Sequence, residues 1–300
     1  MKCYLTEFFK RYEYPADASE KLLAAYDVLS KNADYCALVD RFYVDTELAA
    51  PAIETALDAV CEATGVHPYT AKFLYYICLS KELPSKYAEK GIPEDIMWES
   101  LEDFRYKLLE CLDVHGIPGF FSTTWFHGFF RLRLFKLGRL EYVVGKYNGE
   151  DLVFGDVTVK GGDNVINIHI PSSGARFDKA ARFDSYDRAY HFFREVMHED
   201  VCAFMCSSWL LFPENRRILG EKSNIVSFLD DFRIIWSDEM KDNRIDMWRI
   251  FGKDAVLPIE QLPRDNSLKR GYADWLAAGH NPGRGKGLFV WDPISKTTIR

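Results

Sequence analysis

The stretch from Val165 to Gly174, VINIHIPSSG, constrains the fold more than any other part of this chain. Val165, Ile166, Ile168 and Ile170 are β-branched. Alternation puts Asn167 and His169 on the face opposite Ile166, Ile168 and Ile170, which predicts a strand. Pro171 stops that strand, because proline has no N–H to give to a ladder. Ser172, Ser173 and Gly174 are small and turn tightly. A buried strand that shows polar side chains at its end and opens into a small-residue loop is a common way for α/β proteins to build a site. A core strand followed by an ordinary turn is the plainer alternative.

The residues on either side place this strand in a larger pattern. Upstream, Leu137–Tyr147 reads as a strand, Asn148-Gly149 as a hairpin turn, Asp151–Lys160 as the returning strand and 161–164 as a second turn. Val165–Ile170 is then the third strand of an antiparallel meander. Downstream, Asp184 or Ser185 is the expected cap of a helix with Tyr186, Ala189, Tyr190, Phe193, Val196 and Met197 on its apolar face. Val201–Leu211 is expected to be a central strand, so Val165–Leu211 looks like a parallel crossover. Phe232–Trp236, Met247–Phe251 and Leu288–Trp291 are further expected strands, with helices from Ser223 to about Asp231 and from Ser267 to Ala278.

The first part of the chain has a helical period instead. Ser19–Leu29, about Thr46–Ala63, Tyr69–Ser80, one long helix after Pro93 to Gly116, and Thr123–Phe135 are the expected helices. HGIPGF around Pro118 and Gly119 is the expected domain boundary, giving residues 1–118 and 119–300. The fold class is thus α+β or α/β, an all-helical N-terminal domain followed by a mixed β-sheet domain with flanking helices. A length of 300 residues suits two domains, and 48% hydrophobic and 15% aromatic residues suffice for two cores.

Several classes are disfavoured. A net charge of −7 argues against a broad nucleic-acid surface. No apolar run reaches transmembrane length, and the charged N-terminus does not read as a signal peptide. Seven scattered cysteines suit reduced thiols and a cytoplasmic location, and no metal-ligand spacing is present.

The chain is similar to the GNAT acyltransferase fold, and more closely resembles a bacterial two-domain family with a helical acyltransferase-like N-terminal domain and a GNAT-like C-terminal domain. Residues 137–141 (LGRLE), 167–171 (NIHIP), 208–211 (SWLL), 223–225 (SNI) and 248–252 (WRIFG) carry the resemblance, with Gly91-Ile92-Pro93 and the following helix upstream. It implies that an acyl-CoA or acetyl-CoA thioester lies between Val165–Ile170 and Val201–Leu211. Ile170, Ser172, Ser173, Gly174 and Arg176 would be the cofactor-binding residues. The superfamily loop usually reads Gln/Arg-x-x-Gly-x-Gly/Ala and enters the helix directly. Here about ten residues, Ala175–Asp184, are expected to intervene, with Arg176, Lys179 and Arg182 among them.

The implied partner is an amine on a small molecule or peptide. An alkylamine of pKa about 10.4 is roughly 0.04% neutral at pH 7, a cost near 4.6 kcal/mol, so a positioned base is needed. Glu141 and His169 are the candidates, on meander strands adjacent or one apart. Their plainer roles are an Arg139–Glu141 ion pair and a strand-end hydrogen bond. Ser208, Ser207 or Tyr147 could protonate the leaving thiolate. Cys202 or Cys206 could instead be a nucleophile beside His169, though thiols in an apolar run usually belong to the core. Trp209 suits packing. Gly283-x-Gly285-x-Gly287 lacks the strand-then-helix setting of a phosphate loop. Arg131, Arg133 and Lys136 read as a solvated helix face. The expectation is an N-acyltransferase; the alternative is a non-catalytic GNAT-like module that binds a ligand or protein. The oligomeric state stays open.

Overall fold

The computed structural model describes residues 1–122, 125–240 and 246–300. The chain divides into two units, Met1–Leu134 and Phe135–Arg300. Among the described residues the first is helical: α1 (Lys2–Arg11), α2 (Ala16–Leu29), α3 (Ala33–Arg41), α4 (Ala50–Thr64), α5 (Pro68–Ser80), α6 (Leu83–Glu89), α7 (Glu94–Leu101), α8 (Asp103–His115) and α9 (His127–Phe130). Helix α5 has no charge after Lys72 and buries every residue from Phe73 to Ser80, so it can only be central. Helices α2, α3, α4 and α6 pack on it. The long helix expected after Pro93 is two helices that meet at Glu102, and Gly116 ends the second at φ +68°.

Phe104 of α8 is fully buried and meets Phe8, Phe73, Phe126 and Phe130 at ring distances of 4.9–6.1 Å. Truncating such a side chain removes its burial and leaves a hole the neighbours cannot fill. Phe104→Ala is expected to destabilise by about 3–5 kcal/mol in denaturant melts at unchanged m.

The expected boundary at Pro118–Gly119 lies inside this unit. The Thr70 hydroxyl donates to the Pro118 carbonyl at 2.7 Å, and the Phe120 N–H to the Tyr69 carbonyl. A Cβ on Gly119 would collide with the Tyr69 backbone. HGIPGF is therefore a close packing contact against the start of α5 and not a linker. The expected helix at Thr123–Phe135 begins outside the described residues; beyond them only His127–Phe130 is helical, and Leu134 already belongs to a strand. Arg131 is no solvated cation. Its guanidinium donates to the Phe42, Asp45 and Leu48 carbonyls and lies 4.0 Å from the Phe42 ring centre.

The second unit is a mixed sheet of β1 (Leu134–Leu137), β2 (Leu140–Lys146), β5 (Asn164–His169), β6 (Ala203–Ser208), β8 (Gly283–Asp292) and β7 (Arg233–Glu239), in that spatial order, with β9 (Thr297–Ile299) on the end of β8. β3 (Leu152–Phe154) and β4 (Val157–Val159) pair only with each other. This corrects the expected meander, whose returning strand was to be Asp151–Lys160. β2 pairs directly with β5, and the segment between them folds into its own hairpin. Val165, Ala203, Met205, Leu288 and Val290 bury one sheet face with that hairpin. On the opposite face Tyr142, Phe204 and Phe289 meet α10 (Lys179–His191) through Ser185 and Tyr186.

Three further expectations change. Helix α10 starts at Lys179, capped by the Asp178 carboxylate on the Ala181 N–H at 3.0 Å, and Ser185 is an interior residue. Helices α11 (Asn215–Leu219), α12 (Asn224–Leu229) and α13 (Trp248–Phe251) precede α14 (Ser267–Ala277), so Met247–Phe251 is not a strand. Gly283, Gly285 and Gly287 lie within β8. Any side chain on Gly283 would strike the Phe212 ring and on Gly285 the Leu211 carbonyl, while on Gly287 it would crowd Phe232. The repeat makes a bare strand face on which residues 209–212 can lie, and holds no phosphate loop.

Candidate active site

The site grows from a mismatch of pairing lengths. β5 and β6 run parallel as the crossover pattern predicts, yet they pair only at Val165–Ala203, Ile166–Phe204 and Asn167–Met205. β5 stays bonded to β2 as far as His169, and β6 to β8 as far as Ser208. Each strand is thus held on its outer side while the two part from each other on the inner side. The β5–β6 ladder ends before Ile168–Ile170 and Cys206–Ser208, which is the strand arrangement of a wedge between these two segments.

At the mouth of the wedge Glu141 and His169 are register partners across β2 and β5. Directly opposed residues share a face and hold their Cβ atoms about 4.5–5.5 Å apart. Glu141 is 2% exposed and His169 half-buried. The two candidate bases therefore come together. Behind them, Asn167 lies across Gly145, where a Cβ would strike its carboxamide.

Ser208 does not join this pair. Continuing the β5–β6 register sets Ser207 level with His169 and Ser208 level with Ile170. Alternation then puts Ser207 on the face of Glu141 and His169, and Ser208 on the other. The Ser208 hydroxyl instead accepts the Leu210 N–H at 3.2 Å and caps a short 3₁₀ turn, Trp209–Leu211. Tyr147 is also elsewhere. It lies six residues from Glu141, roughly 20 Å along the strand, and donates to the Glu150 carbonyl at 2.8 Å. Trp209 packs on Tyr272, the role expected of it.

Neither cysteine is placed as a nucleophile. Cys206 is buried on the face away from His169, and burial pushes its thiol far up. Cys202 is raised to about 11 by burial and then by Asp163. Native protein is expected to leave Cys206 unmodified by iodoacetamide while exposed Cys3 and Cys36 react, with Cys206 labelled only after unfolding. Rapid Cys206 labelling in the folded state, read by peptide mass, would reverse this assignment.

After Ile170 the chain turns through Ser172, Ser173 and Gly174, the last at φ +67°, where glycine is favoured. The Ser173 hydroxyl accepts the Ala175 N–H at 3.2 Å. Only Ala175–Asp178 separate this turn from α10, so the ten-residue insertion expected at Ala175–Asp184 is corrected to four. Among the described residues nothing bonds the N–H groups of Lys179 or Ala180, the open positive end of a helix. Of the three cations expected here, Arg176 is 89% exposed and pairs with Asp178 at 3.1 Å, and Lys179 lies over the Phe183 ring. Arg182 is wholly buried and held by Asp231 at 2.7 Å, so it cannot reach a ligand in the turn. Among the described residues no helix is long and apolar enough to cross a membrane, and no His, Cys, Asp and Glu cluster could hold a metal ion.

Sequence reasoning gives Arg139 only an ion pair with Glu141. Its guanidinium donates to the Pro171 carbonyl at 3.0 Å. The tight Gly138-Arg139 turn in the sequence was the available signal for a side chain carried toward that loop.

Comparison with known proteins agrees with this architecture. Residues 134–289 match the family described as GNAT-like C-terminal domain, and residues 4–132 match the N-acyltransferase N-terminal domain. No curated protein matches the chain in sequence. An acyltransferase solved in complex with decanoyl-CoA and teicoplanin is similar in structure, with TM-score 0.74 and 19% identity over 98% of this chain and 87% of that one. A mutant acyltransferase with octanoyl-CoA gives TM-score 0.73 at 18% identity, over 99% and 88% of the two chains. A complex with CoA and 10C-teicoplanin gives 0.73 at 19%, over 94% and 86%. At such identity the likeness establishes the fold.

Proposed function

Because the chain belongs to the GNAT-like C-terminal domain family, with an N-acyltransferase N-terminal domain ahead of it, we propose that it is an acyl-CoA-dependent N-acyltransferase. The observation that carries this reading is the wedge between β5 and β6, with Glu141 and His169 opposed at its mouth. A pantetheine arm suits the wedge because it can lie along the two strands where the β5–β6 ladder has ended. A pyrophosphate suits the turn Ser172–Gly174 and the open N–H groups of α10, where small residues and a helix dipole favour an anion.

In this proposal the Glu141–His169 pair takes a proton from the acceptor amine as its nitrogen bonds to the thioester carbonyl carbon. The C–S bond then breaks, and the departing thiolate needs a proton. Ser207, the hydroxyl level with His169 on the same face, relays the proton held by the Glu141–His169 pair to the thiolate, giving its own proton to sulfur and taking one from the pair. Ile170, Ser172, Ser173 and Gly174 hold the CoA portion through backbone groups, with Arg176 at the exposed rim. The acceptor is an amine of a small molecule or peptide; teicoplanin, present in two of the similar structures, is a rational first compound. The free cysteines suit a reaction inside the cytoplasm.

Calorimetry and thermal shift with acetyl-, octanoyl- and decanoyl-CoA test the reading. Binding at 100 times Kd is expected to stabilise the protein by about 2.7 kcal/mol. Failure of every acyl-CoA to bind would end it. Binding without turnover on any amine would favour the alternative, a sheet that holds a ligand and performs no chemistry.

A further inference from the structure

Resting on the acyl-CoA reading, we propose that Arg139 is a positioning residue that braces the anion-binding turn after β5. The turn is exposed at Ser172, Gly174, Ala175 and Arg176. Both of its ends are tied by guanidinium groups. Arg139 Nη1 donates to the Pro171 carbonyl at 3.0 Å, and Arg182 Nη1 to the Phe177 carbonyl at 2.9 Å. The Phe177 ring lies near both, with its centre 5.0 Å from the Arg139 guanidinium carbon and 5.4 Å from that of Arg182.

The far end of each brace is fixed. Arg182 is anchored by Asp231 and Ser227. Arg139 follows Gly138, whose φ of +74° makes the tight β1–β2 turn. Ser185 of α10 closes that turn, donating to the Leu137 carbonyl at 2.5 Å and accepting the Leu140 N–H at 3.1 Å. The helix that the loop enters therefore also holds the turn that carries Arg139. Backbone N–H groups bind a pyrophosphate well only if they already converge, since ordering them at the moment of binding costs affinity. Bracing both ends supplies that order beforehand.

The test falls on Arg139, because Arg182 is buried in an ion pair with Asp231. Wild type, Arg139→Met and Arg139→Lys are compared by calorimetry with CoA and with pantetheine, and by amide hydrogen exchange of residues 172–176. Both variants are expected to bind CoA at least tenfold more weakly, to bind pantetheine within twofold of wild type, and to exchange at least tenfold faster in the turn. Lysine keeps the charge but not the planar fork, so full rescue by Arg139→Lys would overturn the brace in favour of simple charge attraction. Unchanged CoA affinity, or equal loss for CoA and pantetheine, would also overturn it. If wild type bound no CoA, the acyl-CoA reading itself would fall. Exchange would still judge the brace, and unchanged exchange would refute it.

Discussion

Glu141→Gln is expected to lower kcat by a factor of about 10² to 10⁴ with folding intact, the usual worth of a positioned general base. The glutamine keeps the volume of the buried side chain but cannot take a proton. His169→Ala is expected to fall in the same range, because the two are register partners and act on one proton path. The double variant should lose little more than the worse single, as groups acting as a unit do. The pH profile is the sharper measurement. Raising pH from 7 to 9 increases the neutral fraction of an alkylamine of pKa about 10.4 nearly a hundredfold. A variant without its base should therefore gain nearly a hundredfold over that range, while wild type gains much less. Either single variant retaining a third of wild-type kcat at pH 7 would remove that residue from the chemistry.

Asp231→Ala is expected to be the most damaging of the polar substitutions in the sheet unit, at about 3–5 kcal/mol. Arg182 is fully buried, and Asp231 accepts from its Nε at 2.7 Å, from its Nη2 at 3.3 Å and from the Tyr186 hydroxyl at 3.1 Å. Burial pushes the Asp231 carboxyl above the usual value even against Arg182 and Tyr186, a sign of how dry the site is. Removing the carboxylate leaves a guanidinium with no counter-charge in that interior. Arg182→Met is expected to cost a similar amount, since it also frees the Phe177 carbonyl and the Ser227 hydroxyl. The double variant should cost less than the sum of the singles, because no lone charge remains. Denaturant melts measure all three. A loss below 1 kcal/mol for Asp231→Ala would show that the pair is incidental to stability.

Much of the site was legible because its parts are local in sequence. The alternation in VINIHI, Pro171 and the Ser-Ser-Gly turn specify a strand that ends in a loop, and β5 with its turn is what forms. The crossover was legible too, since an amphipathic helix between two apolar runs has few other solutions. Glu141 and His169 could be named as bases, and placed on neighbouring or near-neighbouring strands, but not set opposite each other. That needed the pairing of β2 with β5, which skips the hairpin β3–β4 although it lies between them in sequence.

Other features misled for definite physical reasons. HGIPGF has the composition of a linker, but Gly119 is glycine because the Tyr69 backbone passes against it. GRGKG has the look of a phosphate loop, but its glycines clear space for residues 209–212 and Phe232. In both, the residue type reports a close approach, and composition does not say by what. Ser207 and Ser208 are neighbours in sequence and equivalent in chemistry. Strand parity alone puts one on the face of His169 and the other on the opposite face.

By itself, then, the sequence determined the local elements of this protein: helices first, a sheet unit after, a strand ending at Pro171 and the residue types fit for proton transfer. Hydrophobic period and backbone chemistry act over a few residues, so those features need no distant partner. Only the tertiary structure decided that β5 and β6 part after three paired residues, that Glu141 meets His169 across the ladder, and that Arg139 and Arg182 tie down the two ends of the turn. Each depends on register between segments far apart in the chain, where shifting a strand by one residue would turn every side chain to the other face.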